Sequence, residues 1–311
     1  MGVVHEAWDT RLDRRVALKL LHPHLLQNAN ARARFEREAK KSARIEHPNV
    51  VRIYRVDRHA RGIAIEMQFV EGTPLSALLR SGPLPPTQAA DLLGQLLEAL
   101  QACHDQGIVH CDLKPGNLVV DRAGHLVLTD FGIARALYDG NLDGGAPDPV
   151  SGPLWGTPQY TPPEAWRGGP VSPKWDLFAA GVIVYEALTG TAPFHGPTPL
   201  ATMHAILSTT LPSLKSLRAD ISGEFSDLID SLLARDAEGR PSSAATALEA
   251  LRGAPESCLY RGDTTELDRP RLPVALPDNP PVLPASRGTS PWERWGPTCS
   301  PCCCRSRWAC C

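Results

Sequence analysis

Alternating apolar and polar positions dominate the first seventy residues. "GVVHEAW" and "RRVALKLL" flank the turn-like "DTRLD", and "VVRIYRV" and "GIAIEMQFV" flank "DRHAR", so a period of two predicts two β-hairpins. Between the hairpins the period lengthens. In "ARARFEREAKKSARIEH" the positions Phe35, Glu38, Ala39, Ser42 and Ile45 fall on one face of a helix. Glu38 then sits on the inward stripe, where an unpaired carboxylate is costly and needs a cation. In "VALKL" alternation places Val16, Leu18 and Leu20 on one face and Ala17 and Lys19 on the other, which makes Lys19 the candidate partner. Taken singly, a solvated lysine and a helix-surface glutamate are the ordinary reading; the motifs further along reverse it.

From about Pro74 the pattern turns helical. "PTQAADLLGQLLEALQACHDQG" repeats Leu92, Leu93, Leu96, Leu97, Leu100 and Cys103 at helical spacing and stops at Gly107. Two short strands follow, "NLVVD" and "HLVLTD", joined by "RAG", so residues 110–117 and 130–132 lie on loops at the edges of a small hairpin. Segments 174–189, 198–208, 222–233 and 242–252 read as further helices. The sum is an α+β chain: a small antiparallel-sheet lobe with one helix over residues 1–73, a larger helical lobe over 74–254, and a cleft between. After residue 254 prolines crowd "RPRLPVALPDNPPVLPAS" and a cysteine cluster ends the chain, so 255–311 is expected to lie outside the fold as a disordered tail.

Charge and cysteine usage narrow the chemistry. With 32 basic and 34 acidic residues in 311, no electrostatic footprint for nucleic acid or anionic membrane is expected. The longest apolar run, "LFAAGVIVYEAL", is too short to span a bilayer and carries Glu186. No leader-like segment opens the chain, and a cytoplasmic protein is the expectation. Cys103, Cys111 and Cys258 are scattered, whereas Cys299, Cys302, Cys303, Cys304, Cys310 and Cys311 crowd the end. Scattered cysteines read as reduced. For the terminal cluster the composition favours disordered sequence, or an altered reading frame, over a four-sulfur zinc site, because adjacent cysteines fit a tetrahedral site poorly.

Six motifs carry the functional signal: "VALK", "HCDLKPGN" at 110–117, "DFG" at 130–132, "GTPQYTPPE" at 156–164, "DLFAAG" at 176–181 and "RDAEGRP" at 235–241. In this order and spacing the chain resembles the eukaryotic-type (Hanks-type) serine/threonine protein kinases, most of all their bacterial members, over residues 2 to about 252. The resemblance implies a bilobal kinase fold and transfer of the ATP γ-phosphate to protein serine or threonine with Mg2+. Phosphoryl transfer asks the protein mainly for positioning and charge neutralisation. On the family's pattern Lys19, held by Glu38, grips the α- and β-phosphates; Asp130 and Asn117 bind magnesium; Asp112 receives the acceptor proton; and Lys114 screens the moving phosphoryl group. Thr157 is implied to bridge Asp112 and Lys114. Val4, Ala17 and Val119 are implied to sandwich adenine, with Met67 as gatekeeper and the backbone of Gln68 and Val70 at the hinge. His110 and Asp176 are implied to be structural, and Glu164 with Arg240 a buried ion pair.

Two departures stand out. Cys111 occupies the place of an arginine that, in most of the family, receives a phosphate on the activation segment. A thiol cannot do this, and "YDGNLDGGAPDPVSG" is acidic already. Catalysis is therefore expected not to depend on segment phosphorylation, and Cys111 reads as an inert small residue rather than a redox thiol. Of the family's G-x-G-x-x-G-x-V loop only Gly2 and Val4 are matched, and the first strand has no counterpart. A start assigned too far downstream is the favoured explanation, and weak use of ATP by residues 1–311 the expected consequence. A weakly active or inactive scaffold remains the alternative, as does a small-molecule phosphotransferase, against which the "GTPQYTPPE" segment speaks.

Overall fold

In the computed structural model the described residues are 3–21, 37, 39–59, 62–130, 157–253 and 308–309. The alternation of the first segment becomes strands β1 (Val3–Asp9) and β2 (Arg14–Leu21), paired antiparallel with Val4 opposite Lys19. Their turn is capped from within. Asp9 Oδ1 accepts the backbone N–H of Arg11 at 3.0 Å and of Leu12 at 3.3 Å, while Asp13 takes a left-handed φ of 50°, a conformation aspartate tolerates better than most residues. The second hairpin is β3 (Ile53–His59) and β4 (Gly62–Gln68). The sheet order is β3-β4-β2-β1, and a two-residue strand, β8 (Trp308–Ala309), pairs with β1 at Trp8 and Asp9. So one short stretch of the expected tail does touch the sheet; the rest of 255–311 lies outside the described residues.

The two faces of β2 go where alternation sends them. Val16 and Leu18 are buried with Ala7 and Ala64, flanked by Leu20 and Tyr54, while Ala17 on the opposite face packs against the main core with Met67. Of the predicted helix between the hairpins, residues 39–42 are helical, and Ala39, Ser42 and Ile45 are buried on the expected stripe. Phe35 and Glu38 lie outside the described residues.

Beyond Gln68, strand β5 (Thr73–Pro74) leads into helix α1 (Leu75–Leu79) and then α2 (Pro86–Asp105). The α2 stripe from Leu92 to Cys103 is buried, and the chain leaves it through Gly107 at a φ of 68°. Strands β6 (Leu118–Val120) and β7 (Leu126–Leu128) form the small hairpin, with β5 on the other side of β6. Then come α3 (Pro163–Trp166), α4 (Lys174–Thr189), α5 (Pro199–Ser208), α6 (Leu214–Leu217), α7 (Gly223–Leu232) and α8 (Ala244–Gly253). Helix α4 is apolar nearly all round, as a helix enclosed by others must be. At Gly181 a Cβ would stand 2.9 Å from Leu232 Cβ, so a side chain there would force α4 and α7 apart.

A polar clasp joins the lobes. Leu128 N–H donates to Asn49 O at 2.8 Å and Val51 N–H to Leu128 O at 2.9 Å. The buried Asn49 amide donates to Gln95 Oε1 at 3.0 Å and Leu126 O at 2.7 Å. The segment leading into β3 is thereby fixed to β7 and α2, and the cleft opens beside it.

Candidate active site

The loop from His110 to Asn117 is held from below by one buried carboxylate. Asp176, in the first turn of α4, accepts the backbone N–H of His110 through Oδ2 at 2.8 Å and of Cys111 through Oδ1 at 3.0 Å. The His104 ring contacts Oδ2 at 2.8 Å. Cys111 is thus pinned in a left-handed conformation, φ 62°, which a non-glycine residue holds only when its surroundings enforce it. His110 is fully buried; its Nε2 meets Thr129 O at 3.0 Å and its Nδ1 accepts Asp112 N–H at 3.3 Å. It is a structural post, as expected, and has no free ring nitrogen for proton transfer.

On this platform stand the groups with chemistry to do. Lys114 Nζ donates to Asp112 Oδ2 at 2.8 Å. The Asn117 amide nitrogen donates to Asp112 O at 2.8 Å and lies 3.4 Å from Oδ2, which turns Asn117 Oδ1 away as an acceptor. Asp112 Oδ1 is shielded from solvent and has no hydrogen-bond partner among the described residues. Across the cleft Lys19 Nζ meets Asp130 Oδ1 at 2.7 Å, the lysine buried and the aspartate one-third exposed. Asp130 has a left-handed φ of 60°.

Lys19 and Asp130 thus form one group and Asp112, Lys114 and Asn117 a second, joined where Thr129 N–H, next to Asp130, donates to Asn117 O at 2.9 Å. Asn117 and Asp130 present an amide oxygen and a carboxylate, hard ligands suited to magnesium that also coordinates phosphate oxygens and water. Among the described residues no cluster of three or more His, Cys, Asp or Glu forms a cage of its own. Thr157 reaches the same small cavity as Asp112, and its carbonyl accepts Tyr160 N–H at 3.0 Å and Thr161 Oγ1–H at 3.4 Å. Among the described residues no hydrogen bond runs from the Thr157 hydroxyl to Asp112 or Lys114.

For the nucleotide base, Ala17 lies opposite Met67 across β2 and β4, and Val70 packs half-buried on the same core. Val119 sits half-buried in β6, where a Cβ on Gly72 would come within 2.8 Å of its Cγ1, so the segment after the hinge approaches Val119 only because residue 72 is glycine. Gln68 N–H is committed to Arg52 O at 2.8 Å. Val4 is half-exposed on β1, and Gly2, Glu38 and residues 131–156 lie outside the described residues.

The bidentate pair of Arg240 with Glu164, at 2.7 and 2.8 Å, joins a fully buried guanidinium to a carboxylate that is 20% exposed, where a buried pair was expected, and Lys174 O, Ala234 O and the face of Phe178 add to the guanidinium's contacts. One feature went unread in the sequence. Tyr160 donates its hydroxyl to Glu186 at 2.6 Å, tying the segment after Thr157 to α4. Burial pushes the Glu186 carboxyl upward, with the Tyr160 bond opposing, and pushes the Tyr160 phenol upward too. The only sequence signal was a carboxylate inside an otherwise apolar helix. Cys103 is core: burial, then Asp176, raise its thiol.

This geometry coincides with what comparison with known proteins returns. A model of the protein kinase domain matches residues 1–251, and the chain belongs to that family. Among curated proteins it is 38% identical over 269 residues to serine/threonine-protein kinase pkn2 of Myxococcus xanthus, covering 82% of this chain and 31% of that protein. It is 36% identical to PknD of Mycobacterium tuberculosis, covering 78% and 35%, and 33% identical to PrkC of Bacillus subtilis, covering 76% and 36%. The chain spans about a third of the length of these relatives. Among solved structures, Rad53 1-466 in complex with AMP-PNP matches with a TM-score of 0.65 at 26% identity, covering 80% of this chain and 61% of that one. Among the described residues no helix is long and apolar enough to cross a membrane.

Proposed function

We propose that the chain is an ATP- and Mg2+-dependent protein serine/threonine kinase. The observation that carries this reading is the division of labour at Asp112: Oδ2 is taken by Lys114 and, among the described residues, Oδ1 has no hydrogen-bond partner. A serine or threonine hydroxyl oriented by that carboxylate attacks the γ-phosphorus, the bond from phosphorus to the β,γ-bridging oxygen breaks, ADP departs, and the hydroxyl proton passes to Asp112. Lys114 faces the charge that develops on the moving phosphoryl group. Lys19 exchanges Asp130 for the α- and β-phosphates. Magnesium, when bound, neutralises phosphate charge, and Asn117 and Asp130 supply its protein ligands. Ala17, Met67, Val119 and Val4 line the adenine side, with the Gln68 and Val70 backbone as polar partners. Thr157 takes its bridging place only when an acceptor peptide is bound.

The activity does not require a phosphorylated activation segment. In this fold the loop's backbone is fixed by Asp176 and His110, and Cys111 has no charge with which to hold a phosphate. Purified chain with Mg-ATP and casein should place phosphate on serine and threonine, and the Asp112→Asn variant should not. Nucleotide binding without transfer in the unsubstituted chain would favour the scaffold reading instead. Phosphatase treatment beforehand should change the rate by less than tenfold; a larger loss, restored by a phosphomimetic at Ser151 or Thr157, would remove the claim of independence.

A further inference from the structure

Beneath the catalytic loop lies a cavity of about 10 Å³, lined by Cys111, Asp112, Thr157, Trp175 and Asp176 among others. That is about the size that one water requires, given two to four polar partners. Most polar groups around it are committed. Both Asp176 oxygens are taken by the loop backbone and His104, the Tyr160 hydroxyl by Glu186, and the Cys111 thiol leans on Val109 O at 3.5 Å. Two buried atoms of the lining residues are left without partners: the donor Nε1 of Trp175, a residue only 7% exposed, and the acceptor Oδ1 of Asp112. Two residues of one small cavity that carry an unmatched donor and an unmatched acceptor are an unusual pair, because buried polar atoms nearly always find a partner in protein or ordered water.

We propose that this cavity binds a single water, which accepts the Trp175 indole N–H and donates to Asp112 Oδ1, so that Trp175 is a positioning residue for the catalytic carboxylate. A carboxylate oxygen has two lone pairs; the water occupies one and aims the other at the acceptor hydroxyl. The short side chain of Cys111 is what leaves the space. Asp112 is then fixed on both sides, by Lys114 and Asn117 at Oδ2 and by Trp175 through water at Oδ1. The inference rests on the kinase reading for its kinetic consequence and on geometry alone for the water itself.

Two measurements test it. A high-resolution crystal structure of the unsubstituted chain should show one water within hydrogen-bonding distance of both Trp175 Nε1 and Asp112 Oδ1. Trp175→Phe, which keeps the ring packing and removes the donor, should lower kcat roughly three- to tenfold while leaving KM for Mg-ATP unchanged. A dry cavity overturns the proposal, as does a kcat in Trp175→Phe equal to that of the parent. If that variant fails to fold, the crystal structure alone decides. An unsubstituted chain without any turnover would count against the kinase reading and leave the water test standing.

Discussion

The loop that carries Asp112 and the sheet that carries Lys19 are held in opposite ways. The loop is fixed by a buried carboxylate on α4, the most enclosed helix of the fold, and its donors point inward to defined acceptors. The sheet packs one face on the main core through Ile63, Ile65 and Met67, while its other face has only a small apolar cluster around Val16 and Leu18 and long, partly exposed ion pairs such as Arg14 with Glu66 at 3.8 Å. Beyond Trp8 and Asp9, the outer edge of β1 has no partner among the described residues, and Val3 and Val4 are exposed. The difference follows from the work each does. Orienting an attacking hydroxyl fails with an error of about an ångström, whereas gripping a phosphate tail with a long lysine tolerates more play.

The contrast can be broken most forcefully at Asp176. Asp176→Ala leaves two buried backbone N–H groups and His104 without their acceptor, and should lower stability by about 3 to 5 kcal/mol. Turnover should fall at least a hundredfold even where the chain stays folded; thermal unfolding and a casein assay read both. Next is Glu164→Gln, which leaves the fully buried guanidinium of Arg240 without its counter-charge; a loss of about 3 kcal/mol is expected in denaturant unfolding. Asn49→Ala opens the clasp between the lobes and should lose about 1 to 3 kcal/mol, with KM for ATP rising more than kcat falls.

The smallest effect should come from the sheet itself. Burial, then the nearby Asp9, push the Glu66 carboxyl upward, with Arg14 opposing. A carboxyl raised in the folded state binds more protons there than in the unfolded chain, so its contribution is present at low pH and is lost as pH rises from 4.5 through the folded value. Glu66→Gln should flatten that fall and leave the neutral-pH stability equal or slightly higher. A steeper pH dependence in the variant would show that Arg14 dominates.

Much of this was legible in the sequence because its signals are local. Period-two runs gave the strands with the correct faces, and the Leu92 to Cys103 stripe gave α2 to within two residues at its end. Of the motif residues, Lys19 meets Asp130, and Asp112 meets Lys114 and Asn117. What could not be read depends on distant parts meeting: the Asn49 clasp with Gln95, the Tyr160 bond to Glu186, and the pairing of Lys19 with Asp130.

Chemistry on the loop and nucleotide grip on the sheet form a division of labour that can be measured. ATP affinity by calorimetry and turnover with casein are compared in Asp112→Asn and Lys19→Met side by side. Under this division Asp112→Asn keeps the parent's affinity and loses roughly 10²- to 10⁴-fold in kcat, while Lys19→Met raises KM for ATP and impairs turnover. Turnover surviving in Asp112→Asn to within tenfold of the parent would contradict it.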